Sequence, residues 1–235
     1  IDLHDYCAAK GLFFPPDPAS WKMSTVGGNV AENAGGMRAV KYGVTKDYVM
    51  GLEVVMSDGT VLTTGGKTIK NVTGYDLTSP FIGSEGTLGI VTKVLFKLLP
   101  LPKLRGTIQI MFASLDDGCA TISKMLQSGI IPSAAEIMDD ISLGAVAKRN
   151  KLDLAPNVKS CIIIETDGDS QESLDEQAKR IAAVADSCGA LEFRVAKDKA
   201  ESDALWSIRR TMSSAVSALA PNRLGEDISV PRSEF

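Results

Sequence analysis

The sequence predicts an α+β fold in two parts, on three observations. The chain has 235 residues, 44% of them hydrophobic, enough for a real core and for one large or two modest domains. From Ile1 to about Pro102 it is rich in glycine, short β-branched runs and turn pairs. From Lys103 to Phe235 strand-like and helix-like blocks alternate, and "LLPLPK" marks the seam, so residues 1–102 and 103–235 are the expected domains.

In the first part, "GLEVVMSDGTVLTT" places β-branched and apolar residues on both sides of Asp58-Gly59, a pair suited to the positive φ angles of a tight hairpin turn. "LGIVTKVLFKLL" alternates apolar and polar residues, with Lys93 and Lys97 outward, as a half-buried strand does. The second part reads strand (105–113), helix (115–129), strand (133–139), helix (140–150), strand (158–168), helix (170–189), strand (190–196) and helix (201–219). That order predicts helices covering one face of a mainly antiparallel sheet, in a split βαβ arrangement.

Composition excludes several classes. There are 25 basic and 29 acidic residues, a net charge of −4, and no basic cluster stands out, so no nucleic acid is expected as partner. Cys7, Cys119, Cys161 and Cys188 form no CxxC pair and are expected to be buried, reduced thiols, which points to a reducing, cytoplasmic setting and to no metal site. No apolar run reaches the roughly 18 residues of a bilayer span. The start at Ile1 and the end in "VPRSEF" are those expected of a piece of a longer protein.

The stretch from Ser24 to Gly43, "STVGGNVAENAGGMRAVKYG", contains five glycines and two asparagines, and a second bare stretch, "GSEGTLGIVT", runs from Gly83 to Thr92. Two nucleotide motifs fail against this sequence. "VLTTGGKT" ends like a phosphate loop, but Val61 holds the leading glycine position and the segment leaves a hairpin with no helix to follow; no G-x-G-x-x-G joins a strand to a helix. Asn29 is expected to cap a short helix over 30–34 that Gly35 and Gly36 end, leaving N–H groups at Gly27 and Gly28 able to hold an anion. The glycines of the second stretch would let a flat ligand approach the main chain. On composition alone, two ordinary glycine turns stand as the alternative.

"STVGGNVAENAGG", "VKYGVTKDYVMGLEVVMSDGTVLTTG", "VTGYDLTSPFIGSEGTLGIVT" and "EDISVPRS" together resemble the FAD-dependent 2-hydroxy-acid dehydrogenases of the vanillyl-alcohol-oxidase (PCMH-type) family, especially its glycolate oxidase D subunits and D-lactate dehydrogenases. The resemblance covers nearly the whole chain with its motifs in order. It implies the second subdomain of a PCMH-type FAD-binding domain, followed by part of an antiparallel, ferredoxin-like cap domain. It also implies FAD in the full-length protein, lined here by Pro16, Asp17, Ser24, Thr25, Gly27, Gly28, Asn29, Asn33, Gly35, Glu85, Gly86, Gly89 and Ile90. The family's first FAD subdomain is expected before Ile1 and its histidine motif, with the catalytic residues, beyond Phe235. This chain alone is therefore expected to hold FAD weakly or not at all and to be inactive. His4, near a chain end, is expected at the surface.

In "LWSIRRTMSSAV", Arg209 and Ser213 stand four apart and are expected on one side of a helix. A guanidinium can clasp a carboxylate with two parallel hydrogen bonds; an exposed arginine pairing with Asp203 or Glu201 is the alternative. The resemblance implies that an arginine in this W-x-x-R pattern binds the substrate carboxylate. Some relatives also carry a lysine just before D-x-x-x-P, whereas Gly225 and Glu226 precede Asp227 here. The implied reaction is oxidation of glycolate or D-lactate to the 2-oxo acid, with electrons passing to an iron–sulfur subunit that could place the protein at the inner face of a membrane. The alternative is a non-catalytic FAD- or partner-binding paralogue, and a flavoenzyme for a larger alcohol or ether lipid precursor would share the same cofactor walls.

Overall fold

The computed structural model describes residues 1–222 and 224–231. It forms two compact units, Ile1–Pro102 and Lys103–Phe235.

The first unit starts with helix α1 (Asp2–Ala8) and strand β1 (Leu12–Phe13), which pairs with β5 (Leu99–Pro100). Two short helices follow, α2 (Val26–Ala31) and α3 (Ala39–Tyr42). A three-stranded antiparallel sheet has β2 (Val49–Val55) between β3 (Val61–Gly65) and β4 (Ile90–Phe96). Leu52 and Val54 of β2 pack with Val30 and Phe81, and Val91, Val94 and Phe96 close over them. The β4 register shifts between Glu53 and Val54, so Thr92 is bulged out and the inward set slips from Val91 to Val94. Lys93 stays outward and pairs with Glu53 at 2.8 Å.

The β2–β3 hairpin forms, but its turn differs from the expected one. The Gly59 N–H donates to the Met56 carbonyl at 2.9 Å, Met56 N–H to Thr60 at 2.8 Å, and only Gly59 takes a positive φ, +87°. Ser57 and Asp58 are the centre of an ordinary turn and Gly59 is the bulge that matches the strand twist.

His4 is half-buried rather than a surface residue. Its Nε2–H donates to the Pro16 carbonyl at 2.9 Å and its ring lies 5.9 Å from that of Phe14, itself against Phe96 at 4.6 Å. Burial lowers the His4 pKa below 6.5, assisted by the Arg38 charge and opposed by the Pro16 bond. A base with a lowered folded pKa contributes stability that is complete above its unfolded value and lost as pH falls through the folded one. The melting temperature is expected to fall from pH 7 to pH 5, and part of that fall should vanish in His4→Gln; identical acid limbs for the two proteins would refute it.

In the second unit four antiparallel strands stand in the order β7 (Ala134–Met138), β8 (Ser160–Gly168), β6 (Leu104–Phe112), β9 (Glu192–Val195). This is the split βαβ order, with helix α5 (Asp140–Asn150) inserted between β7 and β8. Helices α4 (Leu115–Gln127) and α6 (Gln171–Ser187) cover one face: Ile108, Ile110, Phe112, Ile162 and Ile164 pack there with Ile122, Met125, Ile181 and Ala185.

The expectation of helices on one face only is corrected by helix α7 (Lys199–Arg210). Thr107 points away from the Ile108 side, and its Oγ1 accepts a hydrogen bond from Trp206 Nε1 at 3.2 Å and meets Ser202 Oγ at 2.6 Å. The reason is visible along β8, where Cys161, Ile162, Ile163 and Ile164 are all buried and both faces therefore need cover. The expected single last helix is also two: α7 ends at Arg210 and α8 (Met212–Val216) begins after Thr211, whose Oγ1 accepts from Asn150 Nδ2 at 3.0 Å.

All four cysteines are free, and Cys7, Cys161 and Cys188 are buried. Burial pushes the Cys161 thiol up to about 12. Cys161 is expected to resist alkylation in the native protein at pH 8 and to react on unfolding; equal labelling in both states would contradict its place in the sheet.

Candidate FAD wall and carboxylate anchor

The first site is built where the two bare stretches of the first unit meet. The Gly83 N–H donates to the Val30 carbonyl at 2.9 Å and the Glu85 N–H to the Ala31 carbonyl at 3.0 Å. Val30 is fully buried, so this junction is anchored in the core. Segments more than fifty residues apart thus present their main chains side by side.

Helix α2 differs from expectation at both ends. Its cap is Thr25, whose Oγ1 accepts from Gly28 N–H at 2.9 Å; Asn29 lies inside the helix and donates its N–H to the Thr25 carbonyl at 3.0 Å. The helix therefore starts four residues early, Gly28 N–H is used internally, and Gly27 lies in the first turn. It ends at Ala31 with Glu32 as its cap, and Asn33 just beyond takes the left-handed conformation (φ 50°) and accepts from Lys46 N–H at 2.9 Å, so Gly35 and Gly36 do not end it. Gly35 sits against Val44, and Gly36 lies so close to the Asp17 main chain that any Cβ would overlap it.

On the other stretch, Thr87 N–H donates to the Ser84 carbonyl at 3.0 Å around Glu85 (φ 52°) and Gly86 (φ 76°). Two successive positive φ angles make a mirror-image turn, and glutamate at its first corner is strained by roughly 1–3 kcal/mol.

The remaining residues separate into open and enclosed positions. A Cβ added at Gly27 or Gly86 would meet nothing within 4 Å, whereas one at Gly89 would lie 2.6 Å from Val54 Cγ1, so Gly89 is explained by packing on β2. Ile90 is 69% exposed and Leu88 48%, beside that open main chain. Ser24 is partly exposed and donates its N–H to the Ser20 carbonyl at 2.9 Å. Pro16 and Asp17 are buried: the Pro16 carbonyl serves His4, and the Asp17 carboxylate takes the Arg38 N–H at 3.1 Å and faces its guanidinium at 3.6 Å. Open backbone at Gly27 and Gly86, flanked by exposed apolar side chains, fits a flat, diphosphate-bearing cofactor such as FAD. "VLTTGGKT" stays a decoy, for no helix follows β3 before the short 3-10 turn Ser79–Phe81.

The second site lies in the second unit. Trp206, fixed to Thr107, places Arg209 one turn later near the end of α7. Arg209 pairs with neither Asp203, which holds Lys199, nor Glu201, which holds Arg194. Its Nη2 donates to Glu136 on β7, and its Nε–H is buried with no partner among the described residues. Ser213 is on α8, beyond the Thr211 break, so the four-residue spacing no longer guarantees a shared face. Glu136 was not foreseen in the sequence, since nothing local ties it to a residue 73 positions away. Asp227 lies in irregular structure, and Arg232 and Ser233 of its motif lie outside the described residues. Among the described residues no metal-binding cluster occurs, and no helix is long and apolar enough to cross a membrane.

Residues 1–65 match the FAD binding domain, and residues 101–235 match the C-terminal domain of FAD linked oxidases. The chain is 42% identical to glycolate oxidase subunit GlcD of Bacillus subtilis, over all of this chain and 50% of that protein. It is 36% identical to D-lactate dehydrogenase of Anaerostipes hadrus, over 92% of this chain and 47% of that protein. It thus spans about half the length of these relatives. An alkyldihydroxyacetonephosphate synthase structure shares the fold, with a TM-score of 0.72 at 20% identity over 93% of this chain and 43% of that one. The two family models and the relatives identify the chain as a member of the FAD-linked oxidases, with FAD as cofactor.

Proposed function

We propose that the protein carrying this chain oxidises a small D-2-hydroxy acid, such as glycolate or D-lactate, to the 2-oxo acid. Bound FAD supplies the hydride-accepting chemistry. Residues 1–102 act as the C-terminal part of the FAD-binding domain: Gly27 and Gly86 give main-chain access, and the strained Glu85-Gly86 turn holds the second wall. Residues 103–235 act as the substrate domain, where Arg209 binds the carboxylate. The observation that carries the substrate class is the buried Arg209 Nε–H without a partner among the described residues, for a small carboxylate is the ligand a guanidinium edge accepts best. The names of the glycolate and D-lactate relatives support it.

The Bacillus relative is by name a subunit, which supports a partner for this protein; an iron–sulfur electron acceptor is the partner the resemblance suggests. A non-catalytic role has no observation in its favour. The test is anaerobic mixing of the full-length, FAD-loaded protein with glycolate, D-lactate and L-lactate. Bleaching of the flavin by glycolate or D-lactate is expected, and no bleaching by either would overturn the proposal.

A further inference from the structure

Arg209 has a neighbour for which carboxylate binding alone provides no task. Glu136 stands on β7 in register with Ile163 of the buried strand β8 and accepts the Nη2 hydrogen bond of Arg209. The two side chains are only 20% and 21% exposed. A guanidinium carries five donors in one rigid plane, so a carboxylate holding one Nη, together with the side chain's attachment to α7, restricts where the remaining donors point. The helix by itself cannot do so, because α7 ends one residue after Arg209.

A tie serving only to hold α7 to the sheet would have no use for a buried, unsatisfied Nε–H, which costs stability. We propose that Glu136 is a positioning residue: from a rigid strand it holds the Arg209 fork in one orientation and keeps the Nε–H ready for the carboxylate of a small hydroxy acid. The inference rests on the reading of Arg209 as the carboxylate anchor. Its physical content is preorganisation, since an arginine left free must be ordered again at each binding event.

The test compares KM and kcat for glycolate and D-lactate in the full-length, FAD-loaded protein and in Glu136→Ala, Glu136→Gln and Arg209→Ala. Glu136→Ala is expected to raise KM by about tenfold with kcat changed by less than about twofold. Glu136→Gln keeps an acceptor for Nη2 and removes a negative charge, so its KM should return to the wild-type value or below. A purely stabilising pair would lower the melting temperature in both Glu136 variants and move KM in neither. If Glu136→Ala does not fold, Glu136→Asp, one methylene shorter, takes its place with the same expectation. An unchanged KM in that variant while Arg209→Ala raises it, or a Gln variant as impaired as the Ala variant, overturns the role of Glu136. An unchanged KM in Arg209→Ala overturns the anchor itself, and the positioning role with it.

Discussion

Gly27→Val is expected to remove most of the FAD from the full-length protein while leaving it folded. Gly27 is in the first turn of α2 with ordinary helical φ, and a Cβ there meets no atom of the protein within 4 Å. Valine therefore costs the fold little, since glycine is the poorer helix former. It fills the space through which, on the proposed reading, the cofactor reaches the main chain, so FAD retention should drop by about tenfold or more. Gly28 is a worse probe, because a Cβ there lies 3.0 Å from Thr25 Oγ1 and disturbs the cap together with the wall. Gly59→Val is the opposite control. Its φ of +87° makes any β-branched residue cost roughly 1–3 kcal/mol, with open space around it. That variant should melt several degrees lower and keep its flavin per folded molecule. A full complement of flavin in Gly27→Val would mean that the Ser24–Gly43 stretch is not a cofactor wall.

The second large effect is expected at Arg209. Hydrogen bonds to charged groups are worth about 1.5–3 kcal/mol, so Arg209→Ala should raise KM for short hydroxy acids by about ten- to a hundredfold. It also strands the half-buried Glu136 carboxylate and should lower the melting temperature, which confuses recognition with stability. Arg209→Lys separates them: an ammonium can still pair with Glu136 but offers no planar fork. Its stability should stay near wild type while KM rises. Unchanged kinetics in both variants would reduce Arg209 to a tie between α7 and β7.

Much of this architecture was legible along the chain. The strands at β6, β7 and β8 and the helices α4, α5 and α6 stand within a few residues of where hydrophobic period and turn residues place them. Helix α2 was misplaced because two capping residues compete within five positions, and Thr25, not Asn29, has the extended backbone a cap requires. The second covered face of the sheet was announced by "CIII" in β8, an uninterrupted apolar run instead of an alternation. Glycine content marked the candidate wall but could not sort its members: Gly89 is bare for Val54, Gly36 for Asp17, and Gly27 and Gly86 face open space.

What the sequence by itself determined was the α+β class, the Asp58-Gly59 hairpin, the seam near Pro102 and the motifs that carry the family resemblance. These follow from interactions within a few residues, where propensity and period are encoded in the local order. Only the tertiary structure decided which distant residues meet: Gly83 and Glu85 at the end of α2, Trp206 on Thr107, and Arg209 on Glu136. Each of these contacts joins segments tens of residues apart, and its formation depends on which backbone groups and half-buried charges remain unsatisfied after the local elements have packed.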